Sequence, residues 1–366
     1  MGHSDKRIAG LDGLRAIAVL LVFLQHQLVG IIGGYGVRLF FVISGFLIVG
    51  ILRRERLAID AGLTTVRAAF RRFFISRALR IFPIYFFVLG LLALLNMTLA
   101  PGLLRPHELV WHALFLSNVY IGLVVGDWCT VVNHLWSVSV EEQFYLLAAP
   151  ALLIGMLRSR WLVLFVLLGL VTQVALAGAD VTSARVYTDS FIGFAMIACG
   201  GLLHAVKPIA GRFVRPIHAT IALVLYLAAP TVAAIWFDGI IAAQNASIVF
   251  AAALVFAVQA RPDARLVTML EQPLVAGFGR VSYGFYVYHY LLSPAVLAAA
   301  TAGLVRVDDW PLLLRMPFMF AVSLAAAALS WTVIEQPALR WKKRLVSARR
   351  ADPAPAAALH PSPGPA

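Results

Sequence analysis

Arg15 and His26 stand eleven residues apart in one apolar run, Asp12-Gly-Leu-Arg15-Ala-Ile-Ala-Val-Leu-Leu-Val-Phe-Leu-Gln-His26. At about 100° per residue that offset is three turns plus about 20°, so in a helix both side chains share a face, about 16 Å apart along the axis. An ionisable imidazole at membrane depth is costly unless it faces a protein interior or water and is used there. Neutral imidazole can deprotonate a hydroxyl or accept an acyl group. The pair therefore predicts a cationic anchor near one membrane surface and a proton acceptor about halfway across. The same residues also fit a helix-to-helix hydrogen bond at His26 and a boundary marker at Arg15.

A second cluster, Arg67, Arg71, Arg72, Arg77 and Arg80 among Phe70, Phe73, Phe74, Ile75, Ile81 and Phe82, is expected in the loop between the second and third apolar segments. Arg77 and Arg80, three apart, share a helical face just before Pro83, and paired guanidiniums suit bidentate capture of phosphate. Two readings fit: a juxtamembrane helix on anionic lipid, or a grip on a phosphate-bearing cosubstrate. Glu335, ahead of a turn-forming Gln-Pro, could pair with Arg77 or Arg80 at a cytoplasmic mouth, in a catalytic site or as a structural ion pair. Glu141 and Glu142 are expected at a helix start, where acids complement the N-terminus. Ser44 lacks a Gly-x-Ser-x-Gly elbow and any evident acid and histidine partners, so Ser44-Gly45 reads as a small pair that lets helices approach closely.

These side chains need a membrane fold to hold them. The 366 residues are 61% apolar and 13% charged, with mean hydropathy +0.88, more than a soluble domain of this length can hide. Apolar segments at 14–32, 37–52, 82–100, 140–157, 161–179, 189–206, 217–235, 240–258, 283–303 and 316–334 predict an all-α integral membrane protein of about ten transmembrane helices. Residues 109–125 are read as a partly buried or re-entrant outer segment, because an eleventh span there would invert every later loop. The formal charge of +13 could suit nucleic acid, but the basic residues alternate by loop, and twenty-four of the thirty fall on one side of the predicted topology. That bias is the positive-inside rule; it predicts cytoplasmic N- and C-termini and no nucleic-acid partner.

Only Cys129 and Cys199 are present, expected in an outer loop and in mid-helix, so no disulfide and no zinc spacing is anticipated. No metal site, Gly-rich phosphate loop or repeat is read. The first segment resembles an uncleaved signal anchor rather than a secretory peptide. Residues 1–345 are expected to form one multi-spanning domain and residues 346–366 a disordered Pro/Ala-rich cytoplasmic tail.

Six separated blocks together resemble acyltransferase family 3, the membrane O-acyltransferases of cell-surface sugars, over most of residues 9–345. They are Leu11-Asp-Gly-Leu-Arg15 with His26; Gly36-Val-Arg-Leu-Phe-Phe-Val-Ile-Ser44-Gly45-Phe46; Arg77-Ala-Leu-Arg80-Ile-Phe-Pro83; His134-Leu-Trp136-Ser137-Val-Ser139-Val-Glu141-Glu142-Gln143-Phe144-Tyr145; Gly279-Arg-Val-Ser282-Tyr283-Gly284-Phe-Tyr-Val-Tyr288-His289; and Glu335-Gln-Pro337. One departure is Arg38, where the family often has an acid. The resemblance implies a stand-alone acyltransferase domain in a bacterial inner membrane, without the soluble esterase-like domain that some members carry.

It also implies transfer of an acyl group, most often acetyl, from cytoplasmic acyl-CoA (acetyl-CoA) to a sugar hydroxyl of a cell-surface or secreted polysaccharide or glycolipid. His26 would then act as base or acyl carrier, with Arg15, Glu142 and Glu335 at the catalytic site. Arg77 and Arg80, helped by Arg15, would grip CoA phosphates. Ser44, Phe46, His134, Trp136, Tyr288 and His289 would line the substrate pocket, although Trp136 alone reads as an interfacial anchor and Tyr288 and His289 equally as helix braces. Membrane lipid and a carbohydrate acceptor are the implied partners. The other function class is a transporter or flippase of a lipid-linked sugar, which also places charges inside a helical bundle. Such a transporter should show two related halves, and no internal symmetry is visible.

Overall fold

The computed structural model describes residues 8–28, 34–128, 131–155, 160–236, 240–293, 296–298, 301, 303–304 and 306–347. Among them there is no strand. The helices in chain order are α1 (Leu11–Gln27), α2 (Tyr35–Asp60), α3 (Val66–Thr98), α4 (Pro106–Ala113), α5 (Ser117–Val119), α6 (Trp136–Leu153), α7 (Arg160–Ala177), α8 (Ser183–Tyr187), α9 (Ser190–Ala210), α10 (Pro216–Trp236), α11 (Ile240–Ala260), α12 (Arg265–Leu270), α13 (Pro273–Arg280), α14 (Ser282–Leu291), α15 (Leu312–Ser330) and α16 (Gln336–Ser347). Six helical stretches among the described residues are long and apolar enough to cross a membrane: Tyr35–Asp60, Val66–Thr98, Arg160–Ala177, Ser183–Phe213, Pro216–Ala233 and Leu312–Leu345. The chain is thus an all-α, multi-pass membrane protein.

Each of the ten apolar segments meets a helix, but four boundaries move. The expected basic loop is nearly absent, because α2 runs on to Asp60 and α3 starts at Val66. The link turns at Gly62, with φ +70°, and ends at Thr65, whose Oγ1 accepts the Ala68 amide at 3.2 Å. Arg and Glu are good helix formers, so the helix outlasts its apolar stretch; Arg77 and Arg80 lie inside α3, with Pro83 also in its interior. At the other end of the chain, α14 stops at Leu291 instead of reaching 303, placing Tyr288 and His289 in its last turn. In α1 the last helical residue is Gln27 and Leu28 is extended, so His26 sits in the final turn rather than midway along a span to residue 32. Finally, Glu335-Gln-Pro337 is no turn: a π-helical turn, Trp331–Glu335, joins α15 directly to α16.

The centre of the bundle is α2, which packs on α1, α6, α9 and α11. Its contact with α9 is backbone-close. A Cβ at Gly45 would stand 1.7 Å from the Ile197 carbonyl oxygen, and one at Gly200 would stand 2.0 Å from that of Val42. The small-residue reading therefore holds for Gly45. At the periphery, α7 and α10 expose Leu167, Leu170, Val171, Val174, Ile221 and Val224 as a helical bundle in lipid must.

Residues 106–125 fold as α4, α5 and a π-helical turn, Tyr120–Val125, none of spanning length. Gln143 of α6 holds this segment: its Nε2 donates to the Phe115 carbonyl and to Asn118 Oδ1, each at 2.8 Å, and its Oε1 accepts from Ser190 at 2.9 Å. The segment is packed on the bundle, as the re-entrant reading anticipates. Cys129 and residues 348–366 lie outside the described residues; Cys199 is a free thiol.

Candidate active site

A cavity of about 100 Å³ opens between α1, α2, α3, α6 and α14. The elements converge there because each brings a polar side chain on an otherwise apolar helix. Arg15 comes from α1, Ser44 from α2, Arg77 and Arg80 from α3, Ser137, Glu141 and Tyr145 from α6, and Ser282, Tyr283 and Tyr286 from α14. Apolar walls are supplied by Phe40, Phe41, Leu47, Ile48 and Ile81. The Tyr283 hydroxyl donates to the Ile81 carbonyl at 3.1 Å and so ties α14 to the arginine-bearing helix.

Three cations share this space. Arg15 has Asp12, Arg77, Arg80 and Glu141 as charged neighbours, and its one ion pair among the described residues, with Asp12, is long at 3.5 Å. Among the described residues, no carboxylate lies within ion-pair distance of Arg77 or Arg80, and the buried Arg77 Nε has no partner. The pairing anticipated between Glu335 and these arginines is not made. Glu335 is 6% exposed, with Oε1 unpartnered, and Arg80 is its charged neighbour. Glu142, 9% exposed, likewise keeps an unpartnered Oε1 near Arg77. Glu141 and Glu142 lie well inside α6, which starts at Trp136, so they do not cap the helix N-terminus. Such guanidiniums, with donors left open, suit a multiply charged anion.

Beyond Tyr286 the site continues as a cluster of rings. His26 is exposed, and its ring lies 5.2 Å from that of His289 and 4.9 Å from that of Tyr290. His134 is stacked on Tyr290 at 4.9 Å and lies 5.5 Å from His289. The Tyr286 hydroxyl links the cluster to the cavity: it donates to the His134 carbonyl at 2.5 Å and lies 2.7 Å from Ser137 Oγ. Arg15 and His26 thus mark two ends of one site, with the cavity at the first and the imidazoles at the second.

The remaining residues singled out from sequence go elsewhere. Phe46 packs on His204 at 5.3 Å, in the core beyond α2 and away from the cavity. Trp136 is buried against Phe41 and Tyr187, at 5.7 and 5.1 Å, and is not an interfacial anchor. Tyr288 is buried beside Glu335 and does not line the cavity. Arg38, at the position where the family often has an acid, is buried with its guanidinium 5.3 Å from the Tyr187 ring. Ser44 divides from Gly45: its hydroxyl faces the cavity, 3.0 Å from the Tyr145 hydroxyl, which donates to Glu141 Oε2 at 3.1 Å. Sequence reasoning overlooked Ser137, Glu141, Tyr145 and Tyr286 as site residues. The Glu141 to Tyr145 spacing of four, one helical face, was the available signal.

No group of three or more His, Cys, Asp or Glu among the described residues could hold a metal ion. Among known proteins, the acyltransferase domain family matches residues 8–334. The peptidoglycan O-acetyltransferase OatA of Listeria monocytogenes is 23% identical over 92% of this chain and 56% of its own length. Similar coverage is found with "Putative O-acetyltransferase SAR0937" of Staphylococcus aureus, 25% identical over 92% of this chain and 59% of its own, and with "Putative peptidoglycan O-acetyltransferase YrhL" of Bacillus subtilis, 26% identical over 90% and 54%. The chain therefore spans a little over half the length of these relatives. No solved structure matches it. The match over residues 8–334, almost all of the helical bundle, shows that the chain belongs to acyltransferase family 3, the acyltransferase domain family.

Proposed function

We propose that this protein is an O-acyltransferase of a bacterial inner membrane that moves an acetyl group from cytoplasmic acetyl-CoA to a sugar hydroxyl of a cell-surface glycan. One observation carries the reading: three guanidiniums gather in a cavity whose Tyr286 adjoins a ring cluster that ends in an exposed imidazole, His26. Acetyl-CoA is a thioester that carries several phosphate groups, and the arginines held by two helices, α1 and α3, suit those phosphates. His26, reachable from outside the bundle, takes the proton of the attacking hydroxyl. The new C–O bond forms at the thioester carbonyl as the C–S bond breaks, and the thiolate sulfur ends with the proton. Glu335 and Glu142, buried beside Arg80 and Arg77, set the charge at the inner end. Peptidoglycan, named in the relatives, is the first acceptor to offer.

The test is acetyl transfer by the purified protein in proteoliposomes without an ion gradient, with radiolabelled acetyl-CoA on one side and soluble peptidoglycan strands on the other. His26→Gln keeps a hydrogen-bonding side chain but has no base in the working pH range. It is expected to bind acetyl-CoA and to transfer nothing. Transfer at the wild-type rate by His26→Gln would make His26 structural and end this mechanism.

A further inference from the structure

His134 and His289 are too specifically held to be filler. Both are almost completely buried, 4% and 2% exposed. His289 Nδ1 lies 2.6 Å from the Tyr286 carbonyl oxygen, and His134 Nε2 lies 3.2 Å from that of Val287. A carbonyl oxygen can only accept, so those nitrogens carry the protons and each ring is fixed in one neutral tautomer. The other nitrogens, His289 Nε2 and His134 Nδ1, are then bare lone pairs, and both are buried without a protein partner. Buried polar atoms are nearly always satisfied, so two orphaned acceptors in adjoining rings need a reason. Both rings stand in the cluster that contains His26, 5.2 Å from His26 in the case of His289.

We propose that His289, with His134 beside it, is a proton relay: the bare Nε2 of His289 receives the proton that His26 takes from the acceptor hydroxyl and passes it inward, toward the cavity that holds the thioester. The inference rests on the acyltransfer reading and deepens it. Acyl transfer leaves a proton at the sugar end and a thiolate at the arginine end, and these must be reunited across the length of the site. Imidazoles and hydroxyls stand along the distance between them. His289 and His134 flank Tyr286, with ring centroids 5.7 and 5.4 Å away, and the Tyr286 hydroxyl with its Ser137 partner at 2.7 Å lines the cavity. Because neither bare nitrogen has a protein partner, imidazole-to-imidazole handover at this spacing passes through a bridging water. The balance is complete: O–H and C–S bonds break, C–O and S–H bonds form, and nothing else is consumed.

The decisive variant is His289→Asn, whose side-chain amide can keep the bond to the Tyr286 carbonyl but offers no base at the Nε2 position. In the proteoliposome assay with acetyl-CoA and peptidoglycan strands, it is expected to lose on the order of 10²-fold in kcat with KM for acetyl-CoA unchanged. His289→Ala should be rescued in part by added imidazole, with a rate that rises with the basicity of substituted imidazoles. Wild-type kcat in His289→Asn, or rescue indifferent to basicity, would overturn the relay while leaving the acyltransferase intact. An equal rise in KM would make His289 a binding residue and also overturn it. A wild-type protein that releases no CoA in the presence of the strands fails the acyltransfer reading first, and the relay with it.

Discussion

At the scale of single residues, the proposed acyltransfer gives recognition of the donor to the three arginines of the cavity. Like charges gathered with a single long ion pair among them, Arg15 to Asp12, are unfavourable until an anion joins them. Arg77→Glu with Arg80→Glu is therefore expected to abolish acetyl-CoA binding by isothermal titration in detergent. The corresponding Lys pair should weaken it about tenfold, because the planar fork is lost. Full affinity in the Glu pair would make this face a lipid contact instead. Trp136 belongs to the same scale but to stability. Its ring fills the space between Phe41 and Tyr187, so Trp136→Ala should lower stability by about 3–5 kcal/mol, read from thermal unfolding in detergent. A shift no larger than that of an exposed Trp341→Ala control would return Trp136 to the interface.

At the scale of elements, the π-helical turn Trp331–Glu335 matters most. The extra residue of a π-turn offsets everything before it by about 100° relative to an uninterrupted α-helix, and such turns recur at functional sites. Here it lets Glu335 face α14, where Oε1 would lie 2.9 Å from a Cβ placed on Gly284. Thr332 is exposed in that turn, so its deletion removes no core side chain. Deleting Thr332 should restore α-helical register, turn Glu335 relative to α15, and reduce acetyl transfer at least as far as Glu335→Gln does. A fully active deletion would show that the position of Glu335 is immaterial. The Gly45 contact sets another element-scale expectation. Any side chain there must push α9 away from α2, so Gly45→Val should give protein that is largely unfolded on fluorescence-detected size exclusion.

At the scale of the whole molecule, the distribution of basic residues predicts which end of the site faces which side of the membrane. With the N-terminus inside, as that bias predicts, the Arg15, Arg77 and Arg80 end would open to the cytoplasm and His26 would lie toward the outer face. Reporter fusions at Asp180 and Asp308 should read outside, and those at Arg212 and Arg349 inside. A reversed signal at either inner site would invert the molecule and remove cytoplasmic acetyl-CoA as its donor.

The sequence by itself determined the class of protein, since only a membrane can accommodate this much apolar surface, and it marked every apolar segment that became helix. It also placed Arg15 and His26 at opposite ends of one face, because helical geometry is local. Where helices stop was less legible. Hydropathy reports the end of lipid contact, whereas α2 and α3 continue through Arg- and Glu-rich turns that are still good helix formers. Neighbourhood was not legible at all. Only packing decided that Glu141 and Tyr145 line the cavity while Phe46 and Tyr288 do not, and that the rings of His134 and His289 gather beside His26. Those contacts join residues more than a hundred positions apart. They are fixed by which helix faces meet, which no periodicity within one segment encodes.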